Sequence, residues 1–302
     1  MQEKQKIWID TDPGDDIDDL LALAFALLRS ELDVLGITTV TAFADKRAAL
    51  VRTLLRTLNK QHIPVGAGMQ LPMREIDSSE YNRMTDNGGY VMNHGAAADP
   101  LTEPAESAIE LLVQSVHANP GEIGLVTLGP LTNIAAAMRY DPSIAKKLKW
   151  IAVMGGEVVV YRREHNISWD DHAADIVFRS GVPMFVGTWS VTRRIVVTEE
   201  LCVRIREHGS EWCRFLSECI RLWWPYKLQK PGPVLFDIAP IVWSFNRSLY
   251  KTTPMALHVE TKGEYTRGVT VPVADAPANA EVTIDVDEAA VLNMFMETLC
   301  PR

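Results

Sequence analysis

The sequence predicts an α/β protein with a Rossmann-like, open and mostly parallel sheet and helices on both faces. Short apolar runs rich in Val and Ile recur along the chain, separated by stretches with helical periodicity, which is typical of βαβ units. These runs are continuously apolar, so both faces of the sheet should be covered. With 47% hydrophobic residues and no internal repeat or long linker, residues 1–302 are predicted to form one domain.

The predicted elements follow one another in regular order. The strands are short, apolar and rich in β-branched residues, and they cover 6–10, 34–40, 63–67, 123–128, 150–154 and 184–186. The helices have apolar residues at spacings of three and four, and they cover 18–30, 45–60, 104–118 and 131–141. Two stretches interrupt this order, 69–104 and the Trp-rich 203–233. In an open α/β sheet such insertions usually lie at the carboxyl ends of the strands, so both are predicted to be lids.

Composition excludes several classes of function. A net charge of −9 argues against binding to nucleic acid, which requires a clustered positive surface. No apolar run approaches the length of a membrane span, and no signal peptide precedes the first strand, so a cytoplasmic protein without membrane contact is expected. The four cysteines have no CxxC or matching histidine spacing, so they are interpreted as buried thiols rather than as a zinc site or a disulfide framework.

Six aspartates lie between Asp10 and Asp19, in the segment IDTDPGDDIDD. Asp10 and Asp12 end the first strand, and Asp18 and Asp19 open the first helix. Two carboxylates about 4 Å apart repel each other by about 4 kcal/mol at an effective dielectric constant of 20. A compact cluster therefore needs raised pKa values or a hard divalent cation with oxygen ligands, such as Ca²⁺ or Mg²⁺.

The segment has other possible interpretations. A solvated acidic loop is the simplest, but Asp10 and Asp12 directly follow a buried strand. The spacing is not that of an EF-hand, since the twelfth position counted from Asp10 is Leu21 rather than Glu. A Mg²⁺-dependent phosphohydrolase of the Asp-x-Asp type remains an alternative, although Gly14 stands where such enzymes usually have Thr or Val.

The segments IDTDPGDDIDDLLALAFAL, LGITTV, IPVGAG, HGAAADPL, LVTLGPLTN, REHNISWDDHAAD and VTIDVDEAAVLNMF follow one another along nearly the whole chain. This ordered set resembles the inosine-uridine nucleoside hydrolase family. The resemblance implies hydrolysis of the N-glycosidic bond of a ribonucleoside to ribose and free base, with a bound Ca²⁺ in a single Rossmann-like domain. Homodimers or homotetramers are common in that family, so this chain is expected to form one of them.

The resemblance also implies the residues of a calcium site. Asp12 corresponds to the metal ligand that acts as general base on the attacking water. Asp19, the carbonyl of Leu128 and Asp237 correspond to the other ligands. The two aspartates that open the helix are Asp18 and Asp19 if the loop carries an insertion of two residues, which is the favoured alignment; Asp15 and Asp16 are the alternative.

Further residues correspond to the substrate-binding part of the family site. These are Asp18, Glu164, Asn166 and His94, predicted to contact the ribose or to lie over it. Two positions depart from the family pattern: Phe236 replaces a histidine that can protonate the leaving base, and Phe43 replaces an asparagine that reaches the substrate. Trp223 is a candidate for stacking on the base instead, although it could equally be a core residue. With these departures, a non-catalytic protein that binds nucleoside and metal is the second alternative.

Overall fold

The computed structural model describes residues 3–85, 97–98, 106–226 and 231–301. Its main sheet has nine strands. In chain order the strands are β1 Gln5–Thr11, β2 Leu32–Thr39, β3 Val65–Ala67, β4 Glu106–Ser107, β5 Gly124–Thr127, β6 Trp150–Met154, β7 Met184–Gly187, β8 Tyr250–Met255, β9 Leu257–Val259, β10 Thr270–Pro272 and β11 Ala280–Val286. All six predicted strands form, and their ends differ from the prediction by at most two residues.

The strand order is β4-β3-β2-β1-β5-β6-β7-β11-β8. Every neighbouring pair is parallel except β11 and β8, which are antiparallel. Strands β9 and β10 form a separate antiparallel pair. The chain runs outward from β1 in one direction through β2 to β4, and then returns to the other side of β1 with β5. This reversal leaves a crevice at the carboxyl ends of β1 and β5, the place where open α/β sheets bind ligands.

Helices cover both faces of the sheet, as predicted. They are α1 Asp18–Leu28, α2 Ala44–Thr57, α3 Ser78–Thr85, α4 Ala108–Ala118, α5 Thr132–Tyr140, α6 His165–Trp169, α7 Asp171–Phe178, α8 Trp189–Thr192, α9 Glu199–Glu207, α10 Glu211–Trp223, α11 Ile238–Phe245 and α12 Glu288–Leu299. Alternate residues of β1 divide between two cores: Ile7 and Ile9 pack with α1, α2, α10, α11 and α12, while Trp8 packs with α4, α5 and α7. None of the helices in the described ranges is long and apolar enough to cross a membrane.

The two predicted insertions have different positions. The first, over its described residues, lies against the end of α6, because the backbone N–H of Met73 donates to Asp170 (2.7 Å) and Arg74 Nε donates to the Trp169 carbonyl (2.8 Å). The second contains the end of α9 and all of α10, and α10 packs on the helical layer formed by α1 and α2.

Candidate active site

The acidic segment links the carboxyl end of β1 to α1 at the crevice beside β5. Asp12 directly follows β1, while Asp18 and Asp19 form the first turn of α1. All three carboxylates are buried, with exposures of 8%, 4% and 6%. The helix N-terminus stabilises negative charge near Asp18 and Asp19, but by only about 1 kcal/mol or less.

Asp237 reaches this cluster from a distant part of the chain. It precedes α11 and is 3% exposed. Carboxylate oxygens of Asp18, Asp19 and Asp237 lie within 4.8 Å of one another. Asp18 and Asp19 open α1, and the assignment of a metal-ligand role to this pair rather than to Asp15 and Asp16 stays a prediction.

Hydrogen bonds fix the carboxylate of Asp19. Its Oδ1 accepts from the hydroxyl of Thr11 (2.5 Å) and from the backbone N–H of Asp12 (3.0 Å). The end of β1 and the start of α1 are therefore tied together across the turn. This connection holds Asp12 and Asp19 on the same side of the loop.

Burial raises the pKa of several of these groups. It raises the pKa of Asp12 to about 7, partly opposed by the charge of Arg47. Burial together with the charge of Asp12 raises the pKa of Asp19 to about 8. The pKa of Asp237 lies well above its usual range, because burial is reinforced by the charges of Asp18, Asp19 and other neighbouring aspartates. Such a set of oxygen donors suits a hard divalent cation.

The predicted backbone ligand lies across the crevice. Leu128 follows β5, and its carbonyl accepts a hydrogen bond from Nδ2 of Asn166 (2.5 Å). The same amide donates to the carbonyl of Met154 (3.1 Å). Next in sequence, Gly129 lies so close to Asp12 that an added Cβ would be 2.5 Å from its Oδ1. A side chain at this position would displace the Asp12 carboxylate.

Glu164 is the N-cap of the short helix α6. Its carboxylate accepts from the backbone N–H groups of Asn166 (3.0 Å), Ile167 (3.1 Å) and Gly156 (3.1 Å). The residue is 3% exposed. A carboxylate has about four lone-pair positions, so three of them are used and one remains for a ligand.

Three further positions concern the substrate side of the predicted site. His94 lies outside the described residues. Trp223 is 2% exposed and packs within the core on the α1 and α2 face, so its position gives no support to stacking on a base. Phe43 has a left-handed backbone (φ 61°), a conformation that favours Gly or Asn, and its ring lies under the ammonium of Lys46 at 4.6 Å.

The chain was compared with known proteins. The family model "Inosine-uridine preferring nucleoside hydrolase" matches residues 7–293. The chain belongs to this family. It is accordingly a hydrolase that acts on the N-glycosyl bonds of ribonucleosides. The match includes the segment with the Asp-x-Asp motif, so the phosphohydrolase alternative loses its support.

Curated relatives of this nucleoside hydrolase match it over almost their full lengths. The pyrimidine-specific ribonucleoside hydrolase RihA of Shigella boydii is 30% identical over 309 residues, covering 97% of each chain. The probable uridine nucleosidase 2 of Arabidopsis thaliana is 31% identical over 325 residues, covering 98% of each.

Solved structures agree with this fold. A plant nucleoside hydrolase has a TM-score of 0.82 at 27% identity, covering 99% of both chains. A purine-preferring ribonucleoside hydrolase from Gardnerella vaginalis has a TM-score of 0.84 at 25% identity, covering 98% of both.

Sequence reasoning missed a buried arginine that supports the acidic loop of this nucleoside hydrolase. Arg47 in α2 has no exposed surface. It donates to the carbonyls of Asp12, Pro13 (3.1 Å) and Ala42 (2.8 Å) and forms an ion pair with Asp15 (2.9 Å). The signal was an arginine on the apolar stripe of a predicted helix.

Asn133 is a second missed residue, in the LGPLTN segment. Its Nδ2 donates to Oδ1 of Asp10 (2.8 Å), which also accepts from the Thr38 hydroxyl (2.5 Å). Asp10 Oδ2 is buried with no hydrogen-bond partner among the described residues, and burial raises the pKa of this carboxyl to about 7. Asp10 is thus a buried carboxyl next to the cluster.

Proposed function

We propose that the protein is a Ca²⁺-dependent ribonucleoside hydrolase whose general base is Asp12. The observation that carries the proposal is the convergence of the buried carboxylates of Asp18, Asp19 and Asp237 near Asp12, a set with oxygen donors only. Asp12, Asp19 and Asp237 have raised pKa values. Asp12, Asp19, the Leu128 carbonyl and Asp237 would hold the ion. Bound there, Ca²⁺ would lower the pKa of a water and bind ribose hydroxyls.

The remaining chemistry falls to the residues of the chain. Breaking the bond between C1′ and the base gives the ribose oxocarbenium character, which buried carboxylates stabilise. Asp12 takes a proton from the attacking water. Asp18 and the remaining lone pair of Glu164 hold ribose hydroxyls. Asn166 uses both amide hydrogens on backbone carbonyls, so its Oδ1 is left to accept from another ribose hydroxyl.

The first test is release of free ribose from a panel of uridine, cytidine, inosine and guanosine. Chelation should abolish release and added Ca²⁺ should restore it. Asp12→Asn should lower kcat by about 10²–10⁴-fold, as expected when a general base is lost, and Asp237→Asn should lower affinity for Ca²⁺. Asp33→Asn, an exposed aspartate at the far end of β2, is the matched control and should leave activity unchanged. Ca²⁺ binding without ribose from any nucleoside would favour the non-catalytic alternative.

The second part of the proposed mechanism is the protonation of the departing base. Phe236, half-buried beside Asp237, carries no transferable proton. We propose that the base is protonated by solvent, so the enzyme should be most efficient with leaving groups that need no proton. It should therefore cleave 4-nitrophenyl riboside much faster than any natural nucleoside.

Phe236→His provides the matched variant for this second test. It should raise kcat for nucleosides and leave kcat for 4-nitrophenyl riboside unchanged, because nitrophenolate leaves without protonation. Equal rates on both substrate types in the unmodified enzyme would contradict solvent protonation.

The homodimer or homotetramer stays a prediction, which light scattering after gel filtration tests.

A further inference from the structure

A second group of metal-ligating side chains lies far from the acidic crevice. Ligand atoms of His208, Cys213 and Cys300 all lie within 4.8 Å of one another. His208 follows α9, Cys213 is in the first turn of α10, and Cys300 directly follows α12. Cys213 is fully buried and Cys300 is 9% exposed.

The separation of the two sulfur atoms suits a shared metal ion. Cys213 Sγ and Cys300 Sγ are 3.9 Å apart. Two thiolates bound tetrahedrally to Zn²⁺ at about 2.3 Å lie about 3.8 Å apart, so the pair already has the edge length of such a site. The imidazole of His208 supplies a third ligand of the type that structural and catalytic zinc sites use.

The surroundings favour thiolate and orient the imidazole. Cys213 lies in the first turn of α10, where the helix dipole stabilises negative charge. The two nitrogens of His208 contact Ser210 Oγ (3.0 Å) and the Pro301 carbonyl (3.2 Å), so metal binding replaces one of these contacts and the other keeps the ring in place. A metal-bound histidine commonly directs its other nitrogen at a partner of this kind.

We propose that His208, Cys213 and Cys300 form a second metal site, for Zn²⁺, that joins α9, α10 and the end of α12. Binding releases the thiol protons to solvent and involves no redox change. A fourth tetrahedral position remains for water or another ligand. The site is chemically distinct from the acidic crevice, because sulfur and nitrogen donors select Zn²⁺ whereas carboxylates select hard cations. It does not depend on the proposed calcium chemistry.

The test is cobalt substitution of the full-length protein with its thiols kept reduced. Co²⁺ bound by thiolates gives an intense sulfur-to-metal charge-transfer absorption that an oxygen-only site cannot give. The expected result is one such chromophore per chain, displaced by Zn²⁺. Cys213→Ser and Cys300→Ser should each abolish it, whereas Cys219→Ser, a buried thiol in the same helix, should keep it.

His208→Gln is a variant that should still fold, because His208 is only half-buried and Gln can keep the contact with Ser210. It should weaken Zn²⁺ affinity at least about tenfold while circular dichroism and ribose release stay unchanged. Absence of the charge-transfer band in the unmodified protein, or its survival in both Cys213→Ser and Cys300→Ser, would overturn the proposal.

Discussion

Asn166 uses one amide group to hold two backbone carbonyls, those of Leu128 and Met154. The first of these is the proposed backbone ligand for Ca²⁺, so Asn166, which is also proposed to bind ribose, would position this ligand. Residues that orient a metal ligand usually affect affinity about 10–100-fold. Asn166 would therefore connect the proposed ribose site with the proposed metal site.

We expect Asn166→Leu to weaken Ca²⁺ affinity about 10–100-fold, because both carbonyls lose their donor and the Leu128 carbonyl is free to turn. Isothermal titration of the chelated protein with Ca²⁺ measures this. Asn119→Leu, at the C-terminal end of α4, is the control and should bind Ca²⁺ normally. A raised KM with unchanged Ca²⁺ affinity would restrict Asn166 to the ribose.

At the residue scale, the sequence could predict the carboxylates but not the groups that support them. Asp12 and Asp19 belong to a crowded run of six aspartates, and Asp237 is a lone acidic residue in an apolar segment, so all three need a partner. Arg47 and Asn133 are ordinary helix residues, and their roles depend on the packing of α2 and α5 against the strand ends. Rules based on the spacing of metal ligands in the sequence did not detect the cluster of His208, Cys213 and Cys300, because its two cysteines are 87 positions apart.

At the element scale, the packing of α10 bears on whether its last residue, Trp223, is a core residue or a substrate-binding residue. Trp223 is buried where α10 packs on α1 and α2, and its ring lies 6.0 Å from that of Trp224 at nearly a right angle. We expect Trp223→Leu to lower the free energy of unfolding by about 2–4 kcal/mol, because the smaller side chain leaves a cavity, and to leave KM unchanged. Chemical denaturation and steady-state kinetics measure the two quantities.

Trp224→Leu, the more exposed neighbour, is the control for α10 and should cost less stability. If Trp223→Leu instead raised KM several-fold at unchanged stability, the tryptophan would be a substrate residue, as the sequence suggested.

The early elements were predictable and the late ones were not. Strands such as β5 and β6 are buried on both faces, and their continuous apolar runs are distinctive. By contrast, β8 is an edge strand with mostly partly exposed or exposed residues, and β11 mixes buried and exposed positions. The antiparallel pairing of β8 with β11 depends on β11 already lying beside β7 in the sheet. No local sequence pattern encodes this arrangement.

At the scale of the whole molecule, the buried carboxylates should make stability depend on pH. In the metal-free protein the pKa is about 7 for Asp10 and Asp12 and about 8 for Asp19, whereas in the unfolded chain each titrates near 3.8. Between these values the folded state binds more protons than the unfolded state. The free energy of unfolding therefore falls as pH rises through this range.

We expect the chelated protein to have a lower Tm at about pH 8 than at about pH 5, and Ca²⁺ to raise Tm more at the higher pH, because the ion replaces the protons. Differential scanning calorimetry with and without chelator measures this. In Asp237→Asn, which lacks one raised carboxyl, the pH dependence should be weaker. A chelated protein that is more stable at about pH 8 would contradict the pKa directions.

The pairing of the first helix with the last has a consequence for biosynthesis. Arg29, after α1, donates to Thr298 in α12 at 2.9 Å, a contact that spans 269 positions. Asp12 and Asp237 must likewise meet across most of the polypeptide. Contacts of such high contact order form slowly, and on the ribosome they cannot form until the late segment has been translated. The nascent N-terminal half therefore carries the acidic loop with Arg47 as its counter-charge, and Asp237 can join the cluster only at a late stage of synthesis.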